Sequence, residues 1–203
     1  MLPQYEKEFL KVDKILLRHL MEDRVSPDEY GLVHLYLNRV GGKQKTFDYA
    51  FLRMHKNMSR AKLIDIGFAL MNSHEIDNQA NFDKFFKRAE SYICLTHEKL
   101  MKGKNLNGLI AICIAFEGAG KGTIEFWRKV EQLLEKEITQ KRQPLDEEHA
   151  LQLLAVLASK QILNEEVIQS ILSDIGIHFE ARSYGLPEIH SFVKSMDGLG
   201  LVS

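Results

Sequence analysis

Hydrophobic residues recur along this chain at steps of three and four positions, the spacing that places them on one face of an α-helix. Tyr5, Phe9, Val12, Leu16 and Leu20 follow this spacing and predict a first helix from about Pro3 to Asp23. Further helices are predicted for Ser26 to Gly41, from about Thr46, from about Ser59, after Asn78, over Leu106 to Phe116, after Thr123, after Pro144 and for Asn164 to Gly176. A short helix through Met196 is expected after the break at Gly185 and Pro187.

Several of these helices have recognisable ends. In Ser26-Pro27-Asp28-Glu29 the proline suits a first helical position, and the Glu29 carboxylate can reach back to the Ser26 amide. Gly41-Gly42 can adopt the left-handed conformation that ends a helix. Thr123, Asp146 and Asn164 are residue types that cap the first turn, so each is expected to open a helix.

The stretch Leu106 to Phe116 is the most apolar part of the chain. Leu109, Ile110, Cys113 and Ile114 fit one helix face, but other apolar residues fill the opposite side. A short, uniformly apolar run is also compatible with a buried strand. The helical interpretation is preferred because the segment would lie at the centre of a helical stack.

The predicted helices fall into pairs, and the apolar first helices begin near Leu32, Leu63, Leu109 and Leu153, at spacings of 31, 46 and 44 residues. Such spacings are typical of helical-hairpin repeats. They predict an all-α fold, an irregular right-handed solenoid of about four to five helical hairpins. The whole chain, residues 1–203, is expected to be one α-helical repeat domain, with an N-terminal helix (1–24), helix-pair repeats (26–177) and a C-terminal tail (178–203).

Charge and composition narrow the function classes. The chain has 27 basic and 28 acidic residues, so its net charge of −1 offers no global attraction for nucleic acid or an anionic membrane. Residues 51–104 nevertheless carry 10 basic and 6 acidic side chains, which predicts a local basic surface. No apolar run reaches the roughly 20 residues that span a bilayer, and the N-terminal segment resembles neither a secretory nor a transit signal. Cys94 and Cys113 are too few for a disulfide framework.

Gly118-Ala119-Gly120-Lys121-Gly122-Thr123 is similar to a phosphate-binding glycine loop. Ala115 replaces the first glycine of the full pattern, and the helical remainder of the chain is too short for a nucleotide-binding α/β domain. The alternative is a helix junction, in which Gly118 ends one helix and Thr123 caps the next. The junction is the preferred interpretation.

No catalytic, metal-binding or cofactor-binding residues are predicted. The eight histidines form no zinc-binding pattern, and the pairs Asp28-Glu29, Glu147-Glu148 and Glu165-Glu166 lie where acids stabilise the first turn of a helix. Lys84, Lys87 and Arg88 lie among Phe82, Phe85, Phe86 and Tyr92, and could contact RNA by phosphate pairing and base stacking. The alternative is a solvated face behind an aromatic core stripe.

The segment Leu109 to Ile138, LIAICIAFEGAGKGTIEFWRKVEQLLEKEI, resembles a heptatricopeptide-type repeat of the Fas-activated kinase-like mitochondrial proteins. An apolar helix is followed by a glycine turn and by a second helix that opens with Phe-Trp and carries a leucine face. Residues 60–100 and 145–175 show a similar pattern. The resemblance implies a mitochondrial location and a role connected with RNA. The C-terminal RAP domain that many members of the family carry has no counterpart here.

These patterns lead to two principal functional expectations. The first is a non-enzymatic helical-repeat scaffold, an accessory or assembly subunit of a large mitochondrial complex such as a respiratory-chain, ATP synthase or ribosomal assembly, with other protein subunits as partners. The alternative is an RNA-binding helical-repeat protein of mitochondrial RNA metabolism, and the alternative location is the cytoplasm. A nucleotide-dependent enzyme would depend on the glycine loop alone. Both ends of the chain are expected to need cover, because Leu10 and Leu17 flank the first stripe and Leu199, Leu201 and Val202 follow glycines.

Overall fold

The computed structural model of the protein describes residues 6–76, 78–100, 106–140, 144–181 and 184–201. Their regular elements are helical and include no β-strand, which confirms the all-α class. The ten α-helices in these residues are α1 (Glu6–Met21), α2 (Tyr30–Val40), α3 (Gln44–Asn57), α4 (Leu63–Met71), α5 (Gln79–Leu100), α6 (Leu106–Gly118), α7 (Ile124–Glu135), α8 (Glu147–Lys160), α9 (Glu165–Glu180) and α10 (Leu186–Gly198). Short 3₁₀ turns occupy Pro27–Glu29, Met58–Arg60 and Ser73–Glu75, and a π-helical turn occupies Lys136–Gln140.

The apolar segment that was compatible with a helix or a strand forms α6. Leu109, Ile110, Ile112, Cys113 and Phe116 are all fully buried, so side chains are buried on nearly every side of this helix. A helix buried all round has no polar face, which is why its sequence lacks a clear helical period. No helix in the described part of the chain, α6 included, is both long and apolar enough to cross a membrane.

The predicted capping residues are confirmed by their hydrogen bonds. Thr123 Oγ1 accepts from the Phe126 amide at 3.2 Å, Asp146 Oδ1 from the His149 amide at 2.9 Å, and Asn164 Oδ1 from the Val167 amide at 3.1 Å. Each bond provides an acceptor for an amide that has none inside its own first turn.

Two other predicted ends are also confirmed. Glu29 Oε2 accepts from the Ser26 amide at 2.8 Å, although the turn that follows is 3₁₀ and α2 itself begins at Tyr30. Gly41 ends α2 with a positive φ of 66° and donates its amide to the Leu37 carbonyl. The left-handed conformation explains why a glycine occupies this position.

Two predicted boundaries are wrong. The fourth helix begins at Leu63 instead of Ser59, because Met58–Arg60 forms a 3₁₀ turn that buries Met58. The ninth helix continues past Gly176 to Glu180, because packing continues beyond the glycine: Ile175 is buried, and the Phe179 ring contacts the ring of Phe192 at 5.5 Å. Tertiary contacts thus override the local signals for helix starts and stops.

The chain divides into two compact units, Met1–Tyr92 and Ile93–Ser203. In the first unit α1 packs on α3, and α2 packs on α3 and α4. In the second unit α6 packs on α7 and α8, α8 packs on α9 and α10, and α7 packs on α9. One continuous repeat domain over residues 1–203 stays a prediction.

Polar side chains attach α1 to α3 in the first unit. Asp13 is buried within the apolar stripe of α1, and its Oδ1 accepts from the Lys43 amide at the start of α3 at 3.3 Å. At the C-terminal end of α1, Arg53 donates from Nε to the Leu20 carbonyl at 2.7 Å and from Nη2 to the Met21 carbonyl at 2.8 Å. Both contacts satisfy backbone groups that a helix leaves unpaired at its ends.

A buried histidine lies in the core of the first unit. His34 of α2 is fully buried, and its imidazole lies against the Phe51 ring with centroids 4.6 Å apart. Burial lowers the pKa of His34 to about 3, and the nearby Ala50 backbone offsets only part of that effect. The side chain is therefore neutral in the folded protein at neutral pH.

We expect the free energy of unfolding to fall as the pH is lowered from the unfolded-state pKa of about 6.5 towards 4. Between 6.5 and the folded pKa of about 3 the unfolded chain binds the His34 proton and the folded chain does not, so protons favour unfolding. Each pH unit in this range changes the contribution of one such group to the free energy of unfolding by about 1.4 kcal/mol. Between pH 6.5 and 4, His34 therefore accounts for roughly 3 kcal/mol of the loss. Urea unfolding at several pH values measures it.

The comparison that isolates this residue is His34→Leu against wild type, with His190→Leu at an exposed position as the control. The first variant should flatten the pH dependence and the control should leave it unchanged. Identical pH slopes for wild type and His34→Leu would show that this imidazole is protonated equally in both states.

Candidate interaction surfaces

A groove with a cavity volume of 420 Å³, here called the α1–α2 groove, is lined by side chains of the first two helices and of the segment between them, and several of its apolar side chains are exposed. Its apolar lining comprises Val12, Ile15, Leu16, Val25, Leu32, Val33 and Tyr36, and its polar lining comprises His19, Arg24 and Glu29. Ile15 is 58% exposed and Leu32 is 64% exposed. Since burying apolar area is favourable by about 25 cal/mol per Å², a partner that covered these side chains would gain stability.

The geometry of α1 explains why apolar residues remain outside the core. Leu20 and Asp13 are buried, whereas Leu10, Val12, Ile15 and Met21 lie on the exposed part of the helix. The expectation that α1 carries more apolar residues than one packing face needs is confirmed for Leu10, which is 37% exposed.

At the other end of the chain, the expectation that the apolar residues need cover is wrong for Leu199, which is buried. Leu201 is half exposed, and Val202 lies outside the described residues.

A second apolar stripe runs along α10. Leu186, Ile189 and Val193 are separated by three and four residues and are all exposed. Ser195 is buried on the side of this helix that packs on α8. The helix therefore has apolar residues on its solvent face as well as at Phe192, whose ring packs against Phe179.

The three residues predicted as an RNA contact all lie on α5 and are exposed. Within the described residues no carboxylate lies within 4.0 Å of Lys84, Lys87 or Arg88. The aromatic residues between them are placed differently from what base stacking requires. Phe85 and Phe86 are buried, and Phe85 packs edge-on against Phe51 with ring centroids 5.4 Å apart. Phe82 and Tyr92 are half-buried.

Lys84 belongs to a second groove, here called the α3–α5 groove. Its cavity volume is 520 Å³, and it is lined by Asp48, Phe51, Leu52, His55, Ile76, Asn78, Asn81, Lys84 and Phe85. Phe51 and Phe85 belong to the core and form its floor, while Leu52 is 45% exposed at its edge. An apolar floor with a few polar groups around it is the usual composition of a binding cavity, and 520 Å³ lies in the usual size range.

The charges of the α3–α5 groove are unevenly distributed. Burial lowers the pKa of His55, and the positive charges of Arg88 and Lys84 lower it further. Lys84 and Arg88 therefore form a positive end beside a His55 imidazole that is neutral at neutral pH. Asp48 lies two helical turns earlier on α3, and its Oδ1 accepts from Gln44 Nε2 at 3.1 Å. The groove thus has one positive end, which can attract an anion, and one acidic end.

The glycine loop has the geometry of a helix junction. At the end of α6 the amides of Ala119, Gly120 and Lys121 donate to the carbonyls of Ala115, Glu117 and Phe116, at 3.1, 2.9 and 2.9 Å. Amides bonded to helix carbonyls are not directed at a phosphate, as a phosphate loop requires. Gly118 ends α6, and Thr123 caps α7, as the junction interpretation predicted.

The remaining polar clusters have structural roles at helix ends. The imidazole Nδ1 of His149 lies 2.7 Å from Asp146 Oδ2, beside the cap of α8. Burial alone would raise the pKa of Asp146, but the hydrogen bonds from His149 outweigh it and lower that pKa. In the part of the chain that the structure describes, no group of three or more His, Cys, Asp or Glu residues is placed to hold a metal ion.

The sequence pattern identified only part of these surfaces. It singled out Lys84 and Arg88 but missed His55, Leu52 and Asn81, which the fold brings together with Lys84. The spacing of Asp48, Leu52 and His55 at four and three residues is a signal for a shared helix face. That signal does not show which part of the chain lies opposite.

Comparison of the chain with protein-family models, with curated proteins and with solved structures finds no match.

We expect Gly122→Ala to destabilise the second unit by about 2 kcal/mol, a usual cost of forcing a side chain into a strained backbone conformation. Gly122 has a φ of 98°, and an added Cβ would lie 2.7 Å from Trp127 Nε1 and 2.8 Å from a Phe126 ring carbon. Thermal unfolding followed by circular dichroism measures the effect.

The matched control for this substitution is Gly118→Ala at the end of α6, where an added Cβ meets nothing within 4 Å. Gly118→Ala should leave the melting temperature unchanged or raise it, because alanine favours helix.

Magnesium and ATP should shift the melting temperature of neither wild type nor Lys121→Ala. A nucleotide-dependent rise of several degrees would show that the loop binds phosphate after all.

Proposed function

We propose that this protein is a non-enzymatic helical-repeat scaffold, a subunit of a larger protein complex in mitochondria. The observation that carries the proposal is the α1–α2 groove, where Ile15 and Leu32 stay more than half exposed. Contiguous exposed apolar side chains with polar residues at their rim are typical of protein-binding surfaces. The stripe on α10 supports the same function.

The attachment of α1 to α3 supports the scaffold role of the groove. Asp13 attaches the middle of α1 to the Lys43 amide and Arg53 bonds the carbonyls at its C-terminal end, so the position of α1 does not depend on burying every apolar side chain it carries. Val12 and Ile15 are left for a partner on a helix whose place is already determined. A preformed surface lowers the entropic cost of association.

The proposed architecture is an irregular right-handed solenoid of helical hairpins. Support comes from packing between alternate helices, α1 with α3 and α2 with α4 in the first unit, and α6 with α8 and α7 with α9 in the second. In a solenoid of helix pairs each helix contacts its equivalent in the next pair, which produces this alternation.

The proposed mitochondrial location has a different basis. It rests on the resemblance of Leu109 to Ile138 to the repeats of Fas-activated kinase-like mitochondrial proteins. The helix, glycine turn and Phe-Trp helix of that pattern correspond to α6, the junction after Gly118 and α7. Subcellular fractionation of the source cells tests the location independently of the binding surfaces.

A second candidate function is RNA binding by the basic residues of α5. The observation in its favour is that Lys84, Lys87 and Arg88 are exposed and lack carboxylate partners among the described residues. Unpaired cations can contact a phosphate backbone and release its counterions. The burial of Phe85 and Phe86 weighs against the stacking part of this candidate.

The double substitution Ile15→Glu and Leu32→Glu should detach the protein from its complex. Both side chains are exposed, so the substitutions leave the fold intact, but two carboxylates in the groove oppose its burial in an interface. The measurement is sedimentation of the native protein in a mild-salt extract, where wild type should migrate well above its own 23.4 kDa.

The control is Leu95→Glu, which changes a leucine that is 86% exposed on α5 and is not part of the lining of the α1–α2 groove. It should sediment as wild type does, and the circular dichroism melting curves of all three proteins should coincide. Sedimentation of the Ile15/Leu32 variant with the wild-type complex would remove the role assigned to the groove.

If RNA binding is the function, affinity for a single-stranded oligouridine must fall steeply with salt, with a log–log slope of about −0.7 per neutralised phosphate. Changing Lys84, Lys87 and Arg88 together to Glu should then abolish binding in a fluorescence anisotropy titration. Binding that is undetectable at low salt, or that is unaltered in the triple variant, removes this candidate.

A further inference from the structure

The α3–α5 groove combines an apolar floor with a positive end, and the scaffold function proposed above does not depend on it. We propose that this groove binds a short acidic segment of a partner protein, in which a large apolar side chain enters the cavity and a neighbouring carboxylate pairs with Lys84 and Arg88. The inference rests on the proposed scaffold function and specifies the chemistry of one partner.

The floor of the groove accounts for the apolar part of the segment. Phe51 and Phe85 pack edge to face with centroids 5.4 Å apart, so ring edges and aliphatic surface line a cavity of 520 Å³. Leu52 stands at the edge, 45% exposed, where it can pack along an inserted side chain. Filling the cavity would remove apolar surface of both partners from water.

The charges account for the acidic part and for the direction of the segment. Lys84 lines the cavity, and Arg88 lies close enough to His55 to lower the pKa of its imidazole, yet neither cation has a carboxylate partner among the described residues. Asp48 lies seven residues before His55 on α3, roughly 10 Å along the helix axis. It would repel a second carboxylate, so the acid of the segment is directed to the Lys84 end.

The side chain of Asn81 adds a polar contact at the wall of the groove. Its amide group makes no hydrogen bond with other described residues, whereas Asn78 Oδ1 accepts from the Asn81 backbone amide at 3.2 Å. A free amide can donate to a peptide carbonyl and accept from a peptide amide. Such a group suits a peptide backbone that lies along the wall.

A nucleic acid fits the same groove less well. Bases stack on exposed aromatic faces, but the rings of Phe51 and Phe85 are buried and pack edge to face against each other. Lys87, which an RNA backbone would use together with Lys84, does not line the cavity. The groove thus favours a protein segment, and the two kinds of ligand predict different effects for the Lys87 substitution.

The test begins with selection of binders to the full chain from a displayed library of random dodecapeptides. Enriched peptides should combine Asp or Glu with a large apolar residue within one helical turn. Binding of the best peptide is then measured by fluorescence anisotropy with wild type, Lys84→Glu, Leu52→Gln and the matched control Lys87→Glu. Affinity should fall roughly tenfold or more for the first two variants and change by less than about twofold for the control.

Three results would overturn the proposal: no enrichment of acidic–apolar peptides, unchanged affinity in both groove variants, or competition by oligouridine with equal losses for Lys84→Glu and Lys87→Glu. Coincident melting curves for all variants separate a binding effect from unfolding. The scaffold function is judged separately, because it depends on sedimentation of the Ile15/Leu32 variant. A groove that binds no such peptide, in a protein that still sediments within a complex, would refute this inference alone.

Discussion

The first unit depends on how Arg53 holds the end of α1. Its guanidinium donates to the carbonyls of Leu20 and Met21, and Nη1 lies 2.8 Å from a carboxylate oxygen of Asp23 just beyond the helix. The last carbonyls of a helix have no partner inside it and carry the negative end of its dipole, so a planar cation with several donors suits this position. With Asp13 bonded to the start of α3, α1 is positioned by polar contacts at its middle and at its C-terminal end. Its apolar residues are consequently divided between the core and the solvent.

The position of α3 follows from the same contacts. Asp48, Leu52 and His55 share the face of α3 that lines the α3–α5 groove, while Arg53 lies about a third of a turn further round the helix and faces α1. Phe47 and Phe51 of the same helix are buried in the core. One helix therefore supports both α1, with its apolar groove, and the charged wall of the second groove. A rigid element with buried aromatic residues is a suitable support for surfaces that must keep their shape.

Local features of the fold could be predicted from the sequence, because local chemistry determines them. Thr123, Asp146 and Asn164 each bond an amide three residues ahead, so the relevant atoms are close in sequence as well as in space. The extension of α9 past Gly176 could not be predicted in this way, since it depends on contacts of Phe179 with Tyr184 and Phe192, which belong to later segments. The start of α4 was missed for a similar reason, because burial of Met58 favours a turn that the helical pattern does not reveal.

The candidate sites also depend on contacts between residues that are distant in sequence, which the sequence pattern does not show. The glycine loop has the composition of a phosphate-binding loop, yet three of its amides donate to α6 carbonyls. Gly122, with a φ of 98°, is a glycine because an added Cβ would collide with the Trp127 and Phe126 rings. Lys84 and Arg88 belong to no recognisable motif, and their role as a candidate site depends on the absence of carboxylate partners among the described residues and on His55, about thirty residues away in sequence. A motif reports which groups are present, but binding depends on which groups remain unbonded after folding. By that criterion the candidate sites are the surfaces where, among the residues that the structure describes, apolar area is left exposed and positive charge has no carboxylate partner.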